Sequence, residues 1–251
     1  MTQSILITGG TGKFGQKFVE HFIAKKWRVI FTTTCQDRGD AFIEQLGRPS
    51  GLAAIALDLT KSTAVNELLG ALTETGYCIN HLVNNARSLN SLKTDALGQT
   101  RRDDFMDEYL MDVVVPYELS MGLFNAQSDE LKTVTNIGSQ YGVVAANPHL
   151  YEDYLRQSPI QYGVAKAALG HLTKELAVRM AGKGVRVNCI AYGGVEGRVD
   201  DAFKARYATL TPSRRMLTED ELVGPLDFLV ASSSTAVTGQ TLVADGGWSI
   251  W

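Results

Sequence analysis

The sequence predicts an α/β protein: a single domain built on a doubly wound, parallel, seven-stranded sheet. Three observations carry this. Short β-branched apolar runs alternate with longer runs whose apolar residues recur at helical spacing. A glycine-rich turn joins the first strand to the first helix. No linker, repeat or low-complexity tract divides the 251 residues, a length that one large domain accommodates.

The elements follow in order. Ser4–Thr8 reads as a buried strand, and Gly15–Lys26 as a helix with Phe18, Val19, Phe22 and Ile23 on one face. Arg28–Thr33 and Ala53–Leu57 are strands. Thr63–Thr75 is a helix with Val65, Leu68, Leu69 and Leu72 aligned. His81–Asn84, Thr133–Ile137 and Arg186–Ala191 are further strands, each preceded by a helical pattern. Pro116 falls inside one such pattern and is expected to kink it. Thr218-Glu219-Asp220-Glu221 has the form of a capping box before Leu222–Ala231, so a helix is expected from Thr218. Gln240–Ala244 closes the sheet. Ligands of such sheets bind at the carboxyl ends of the strands.

Composition removes several function classes. Lys plus Arg is 24 and Asp plus Glu is 27, a net charge of −3, without the basic footprint of a general nucleic-acid binder. No apolar run is long enough for a membrane span, and the N-terminus enters a strand without the features of a secretory signal. Cys35, Cys78 and Cys189 are scattered and odd in number, which suits a reducing cytoplasm and offers no metal-ligand spacing. His21, His81 and His171 read as helix-face or strand-end residues.

The turn Thr8-Gly9-Gly10-Thr11-Gly12-Lys13-Phe14-Gly15 points to dinucleotide binding. Glycines permit a tight turn and let a pyrophosphate approach the free N–H groups of the helix that follows. No Gly-Lys-Ser/Thr ending is present, which disfavours a nucleoside-triphosphate loop. The second strand ends in Thr32-Thr33-Thr34-Cys35-Gln36, with no carboxylate before Asp37. Lys13 and Arg38 are the candidate partners of a ribose 2′-phosphate, so NADP is favoured over NAD.

Tyr162 and Lys166 are four residues apart in a strongly helical segment, so they share a face. An ammonium beside a phenol favours the phenolate, and such a phenol can move a proton to or from a carbonyl oxygen. Ser139 follows the strand Thr133–Ile137, at the carboxyl edge of the sheet where the glycine loop also lies.

Together with Asn84-Asn85-Ala86, Val187-Asn188-Cys189-Ile190-Ala191, Thr238-Gly239-Gln240 and Asp245-Gly246-Gly247, these motifs resemble, in order and over the whole chain, the short-chain dehydrogenases/reductases. The resemblance implies a Rossmann fold, a nicotinamide cofactor and a homodimer or homotetramer acting on a small molecule. It implies that Tyr162 is the acid/base, that Lys166 assists it and binds the nicotinamide ribose, and that Ser139 orients the substrate oxygen. Gly9, Thr11, Gly12, Lys13, Phe14, Gly15, Thr33 and Arg38 would hold the cofactor. Asp58 and Leu59 would meet the adenine, Asn84, Asn85 and Ala86 would line the groove, and Val195 would contact the nicotinamide amide.

Four positions depart from the family pattern. Lys13 and Arg87 stand where glycine is usual, and Tyr192 stands where proline is usual. Asp112 occupies the place of the family's catalytic Asn, where its charge would alter the pH response of the proton relay. These departures keep open a second reading, a nucleotide-binding or partner-binding protein with little catalysis. The spacing TGxxGxxG keeps open a third, an epimerase or dehydratase.

Twenty-two residues separate Ser139 from Tyr162, more than the family usually has. The extra stretch, 145–161, carries His149, Tyr151, Glu152, Asp153, Tyr154 and Arg156 and is expected over the active site. These side chains suit either a polar, ring-shaped substrate such as a sugar or sugar nucleotide, or a subunit contact or surface loop with solvated charges. The segment 195–217 is expected to cover the substrate, with Arg198, Arg206, Arg214 and Arg215 as candidate partners of an anionic group. The insertion and the ending Asp245–Trp251 are similar to those of oxidoreductases of flagellin-glycan and nonulosonic-acid pathways, which implies an amino or deoxy sugar derivative. The apolar tail Trp248–Trp251 is expected to pack on a neighbouring subunit.

Overall fold

The computed structural model describes residues 2–197 and 199–251. Seven strands form one parallel sheet: β1 (Ser4–Ile7), β2 (Arg28–Thr33), β3 (Leu52–Ala56), β4 (His81–Asn84), β5 (Thr133–Ser139), β6 (Arg186–Tyr192) and β7 (Thr241–Ala244). Their order is β3-β2-β1-β4-β5-β6-β7. The order in which strands are added therefore reverses between β1 and β4, and a ligand crevice opens beyond the carboxyl ends of those strands.

The helices are α1 (Lys13–Ala24), α2 (Gln36–Gln45), α3 (Ala64–Glu74), α4 (Arg102–Tyr109), α5 (Val115–Gln127), α6 (Tyr154–Gln157), α7 (Ile160–Met180), α8 (Asp201–Leu210) and α9 (Val223–Val230). They cover both faces of the sheet, so alternate strand residues enter opposite cores. In β1, Ile5 and Ile7 pack with Phe18 and Phe22 of α1 and Leu226 of α9. Leu6 between them packs with Leu68 of α3, Leu119 of α5 and Leu176 of α7. A third, smaller cluster joins Leu150, Tyr207, Met216 and Trp248 beyond the sheet edge.

Three local expectations need correction. The capping box at Thr218 is present, with the Glu221 carboxylate accepting from Thr218 N at 2.8 Å. It opens a 3-10 turn, Glu219–Leu222, and α9 starts only at Val223. Pro116 does not interrupt its helix: a wide π turn, Leu110–Val114, comes first, and Pro116 falls in the first turn of α5, where its missing N–H costs least. Trp248 is not part of an exposed tail. Its ring stacks on Tyr207 with centroids 4.5 Å apart, while Ile250 and Trp251 remain exposed.

Among the described residues, no helix is long and apolar enough to cross a membrane.

His81 enters β4 fully enclosed. Its Nδ1 lies 2.8 Å from Thr133 Oγ1, its Nε2 lies 3.1 Å from Gln3 Oε1, and its ring stacks on Trp27. Burial, with the nearby charges of Lys132 and Arg186, holds the imidazole neutral down to a pKa of about 3. An unfolded chain takes up this proton near its ordinary value of 6.5. The contribution of His81 to stability is therefore complete above that value and is lost as the pH falls from there towards 3. Urea unfolding across this range should show stability falling by up to about 1.4 kcal/mol per pH unit from this group, and His81→Asn should flatten that part of the profile.

Candidate active site

The carboxyl ends of β1, β2 and β4 are locked together by short polar side chains. Thr8 Oγ1 accepts from the backbone N–H groups of Asn85 and Ala86, both at 2.9 Å. Thr32 Oγ1 accepts from Gly9 N at 3.0 Å. Asn85 Nδ2 donates to the Thr8 carbonyl at 2.8 Å. These bonds fix the glycine turn. Gly9 adopts φ +66°, and a Cβ on Gly15 would lie 2.3 Å from the Gly9 carbonyl oxygen, so both positions demand glycine. Lys13, Phe14 and Gly15 open α1 with N–H groups that have no helical acceptor, a ready anion cradle.

A cavity of about 810 Å³ runs from this cradle past β4 and β5 to Tyr162. The predicted cofactor and catalytic residues line it except Gly15, which lies beneath the turn, Asp112, and Asn84, which is buried and donates to Ser120 and Asn136 instead. At the β2 end, Thr33, Thr34 and Arg38 line the wall and Asp37 does not. Arg38 donates to Thr34 Oγ1 at 2.8 Å. Lys13 and Arg38, the two predicted cations, both line the cavity. The Lys13 ammonium lies 3.5 Å from Glu219 Oε1, and a Cβ on Gly197 would lie 2.9 Å from it.

At the other end, β5, the π turn and α7 converge. Ser139 ends β5; its Oγ accepts from Tyr141 N at 3.2 Å, which leaves its O–H free to donate. A Cβ on Gly142 would lie 2.7 Å from the Lys166 backbone, so the turn after Ser139 presses directly on α7. Lys166 is buried, and its Nζ donates to Asp112 Oδ1 at 2.9 Å and to the Ile137 carbonyl at 3.0 Å. Burial pulls the Lys166 pKa down, but the Asp112 carboxylate and Tyr162 together outweigh it and hold the ammonium above its ordinary value. Two of its three N–H donors are thus occupied, and the third is available to the cavity. Its ammonium lies 5.9 Å from the Tyr162 ring centre.

The π turn brings Asp112 to this position. It also leaves Asp112 Oδ2 and Glu108 Oε1 buried without partners. Glu108 accepts from Ser91 Oγ, and burial raises its pKa.

The insertion 145–161 contributes less charge than expected. Leu150 and Tyr151 line the cavity, but Asp153 pairs with Arg156, and Glu152 pairs with Arg206, on the outer surface. His149 is exposed. Arg215 is held by Glu221 in a bidentate pair, Arg214 is exposed, and Arg198 lies outside the described residues. From 195–217, the residues lining the cavity are Val195, Val199, Phe203, Tyr207 and Met216.

Two lining residues, Tyr141 and Tyr207, carried no signal in the sequence. Tyr207 Oη donates to Gln140 Oε1 at 3.0 Å and accepts from Gly194 N at 2.9 Å, tying α8 to the ends of β5 and β6. Tyr141 and Tyr151 share a hydroxyl bond of 2.7 Å, and burial raises the pKa of both, so both remain neutral. Tyr192 packs edge-on against Phe14 and bonds the Leu222 carbonyl, which gives this unusual residue a structural place beside the glycine turn. Among the described residues no group of three His, Cys, Asp or Glu side chains is placed to hold a metal ion.

A glycine cradle at one end of a crevice and a Ser–Tyr–Lys group at the other define an oxidoreductase of the short-chain type. The comparisons agree. The family model described as Enoyl-(Acyl carrier protein) reductase matches residues 13–249, and the chain belongs to this branch of the short-chain dehydrogenases/reductases. It is 25% identical over 252 residues to Post-translational flagellin modification protein A of Campylobacter coli, covering 98% of each chain. It is 26% identical to the 3-oxoacyl-[acyl-carrier-protein] reductase FabG of Chlamydia pneumoniae, covering 98% of this chain and 96% of that one. A short chain dehydrogenase of Leptospira borgpetersenii, solved with bound NAD+, superposes with a TM-score of 0.87 at 29% identity, covering 99% of this chain and 93% of that one.

The buried ion pair makes a stability test. Removing one partner of such a pair typically costs about 3–5 kcal/mol, because the other charge is left unpaired. Asp112→Ala should lower unfolding free energy by that amount in urea titration. The double variant Asp112→Leu/Lys166→Met should regain most of it.

Proposed function

We propose that the protein is an NADP(H)-dependent oxidoreductase that interconverts a carbonyl and an alcohol on a small, ring-shaped polyol or sugar derivative. NAD is the secondary cofactor. The observation that carries this is the convergence of Ser139, Tyr162 and Lys166 at the far end of a crevice that begins at the glycine cradle. The cradle suits a dinucleotide: a Cβ at Gly9, Gly10 or Gly15 would strike Ala86, Phe31 or the turn's own backbone, which keeps the turn tight, and the first N–H groups of α1 lack helical acceptors. Gly9, Thr11, Gly12, Lys13, Phe14 and Gly15 would hold the pyrophosphate, and Thr33 and Arg38 the 2′-phosphate. Asp58 and Leu59 would flank the adenine, Asn85 and Ala86 the groove, and Val195 the nicotinamide amide.

When bound, the nicotinamide supplies or accepts the hydride. The free Ser139 O–H holds the substrate oxygen. Tyr162 gives that oxygen a proton during reduction and takes it back during oxidation. The Lys166 ammonium, kept charged by Asp112, stabilises the phenolate that Tyr162 becomes. The aromatic walls of Tyr141, Tyr151 and Phe203 support a ring-shaped substrate, and the likeness to a flagellin modification protein supports a sugar derivative. Segments 145–161 and 195–217 form the cover of this site. The exposed Met106, Tyr109, Tyr117 and Trp251 support a homodimer or homotetramer, and the three free cysteines support a cytoplasmic setting.

Tyr162→Phe should lower turnover by about 10²–10⁴-fold while NADPH still binds in calorimetry; unchanged turnover would remove Tyr162 from the reaction. The cofactor preference has its own test. Wild-type protein should bind NADPH more tightly than NADH, and Arg38→Ala should erase the difference. Lys13→Ala should leave the preference intact, since its ammonium is engaged by Glu219.

A further inference from the structure

Arg87 brings a charge to the catalytic end of the cavity that the proton chemistry of Tyr162 does not require. It follows Asn84-Asn85-Ala86 beyond the end of β4, and its guanidinium carbon lies 4.9 Å from the centre of the Tyr162 ring. Among the described residues Arg87 has no ion-pair or hydrogen-bond partner. The other cation at this end, Lys166, is neutralised by Asp112. The buried Glu108 faces Arg87 from α4 but is bonded by Ser91 and beyond ion-pair distance. Among the described residues the one carboxylate lining the cavity, Asp58, lies past β3 at the opposite end.

The surroundings of Arg87 sharpen its role. The cavity lining also includes the apolar and aromatic Leu150, Tyr151, Val199, Phe203 and Met216, with the polar Ser88, Asn90 and Gln140. Arg87 is exposed on this lining, and an unpaired cation there draws anions towards the cavity. A planar guanidinium fork matches the two oxygens of a carboxylate or phosphate. Its place on the face of the Tyr162 ring puts that anion next to the carbon that reacts.

We propose that Arg87 is a specificity-determining residue: the substrate carries a carboxylate or phosphate, which Arg87 binds while the reacting oxygen faces Ser139 and Tyr162. This narrows the substrate to an oxo or hydroxy acid, or a phosphorylated equivalent, and rests on the oxidoreductase reading above.

The test uses simple anions at constant ionic strength. Oxalate and inorganic phosphate are titrated into the protein, with and without NADPH, and followed by calorimetry; oxamide is the neutral control for oxalate. One of the two anions should bind wild-type protein in preference to oxamide, and which one binds more tightly distinguishes carboxylate from phosphate. Arg87→Met should weaken that anion at least about tenfold, as expected for a lost charged hydrogen bond. Arg87→Lys should keep part of the affinity, and NADPH affinity should stay within about twofold in both variants. Three outcomes overturn the proposal: wild-type protein binds neither anion, Arg87→Met binds as tightly as wild type, or Arg87→Met loses NADPH instead. Failure of wild-type protein to bind NADPH counts against the oxidoreductase reading, and the titration of the cofactor-free protein still decides the anion site.

Discussion

The buried ion pair of Lys166 with Asp112 is the constraint around which the rest of the site is arranged. An ammonium taken out of water is costly unless it is paired and its remaining donors are bonded. Three elements supply the partners: the π turn gives Asp112, β5 gives the Ile137 carbonyl, and α7 carries Lys166 itself. None of the three can shift without exposing or orphaning a charge. The wide turn at Leu110–Val114 makes sense in these terms. It places Met111, Asp112 and Val113 inward together, which is the kind of role such turns serve at functional sites.

The same logic of satisfied polar groups runs across the sheet. Asn84 Nδ2 donates to Asn136 Oδ1 at 2.8 Å, and Asn136 Nδ2 donates to Thr173 Oγ1 at 2.9 Å. This chain links β4, β5 and α7 through a region where an unbonded amide would be costly. Thr8 and Thr32 do the same for β1, β2 and the glycine turn. By contrast, the first N–H groups of α1 and the third donor of Lys166 are left over, and both face the crevice. These two sets of unused donors are the ones placed where a ligand would meet them.

Much of this was legible in the sequence. All seven strands fall within two residues of where alternation and β-branching place them, because strands buried on both faces leave a strong apolar signature. Ser139, Tyr162 and Lys166 were found because their spacing is local: a strand end, and four residues on one helix face. What was missed depends on distant contacts. Nothing near Lys13 in the chain reveals that its ammonium lies beside Glu219. Likewise, the charged residues of the insertion look like ligands in sequence, yet they bond each other at the surface and leave the cavity to Leu150 and Tyr151. The π turn escaped because Pro116 reads as a helix breaker when its position within the helix is unknown.

The substrate end of the cavity is built from the chain's C-terminus as much as from its catalytic centre. Gly246 and Gly247 take φ of +68° and +90°, a reversal held by Asp245, whose carboxylate accepts from Gly247 N and Ser249 N. This turn tucks Trp248 beneath Tyr207, and Tyr207 in turn reaches Gln140, the residue after Ser139. The covering helix α8 is thereby referenced to β5 through two aromatic rings and one hydroxyl. Its small core of Leu150, Tyr207, Met216 and Trp248 is separate from the two large cores beneath. A small cluster of this kind has less buried apolar area holding it than the sheet does, so α8 is held to the body more weakly than the strands are. The end of the cavity that Arg87 and Tyr162 line is thus shaped by a helix whose anchor, Trp248, lies far along the chain from both.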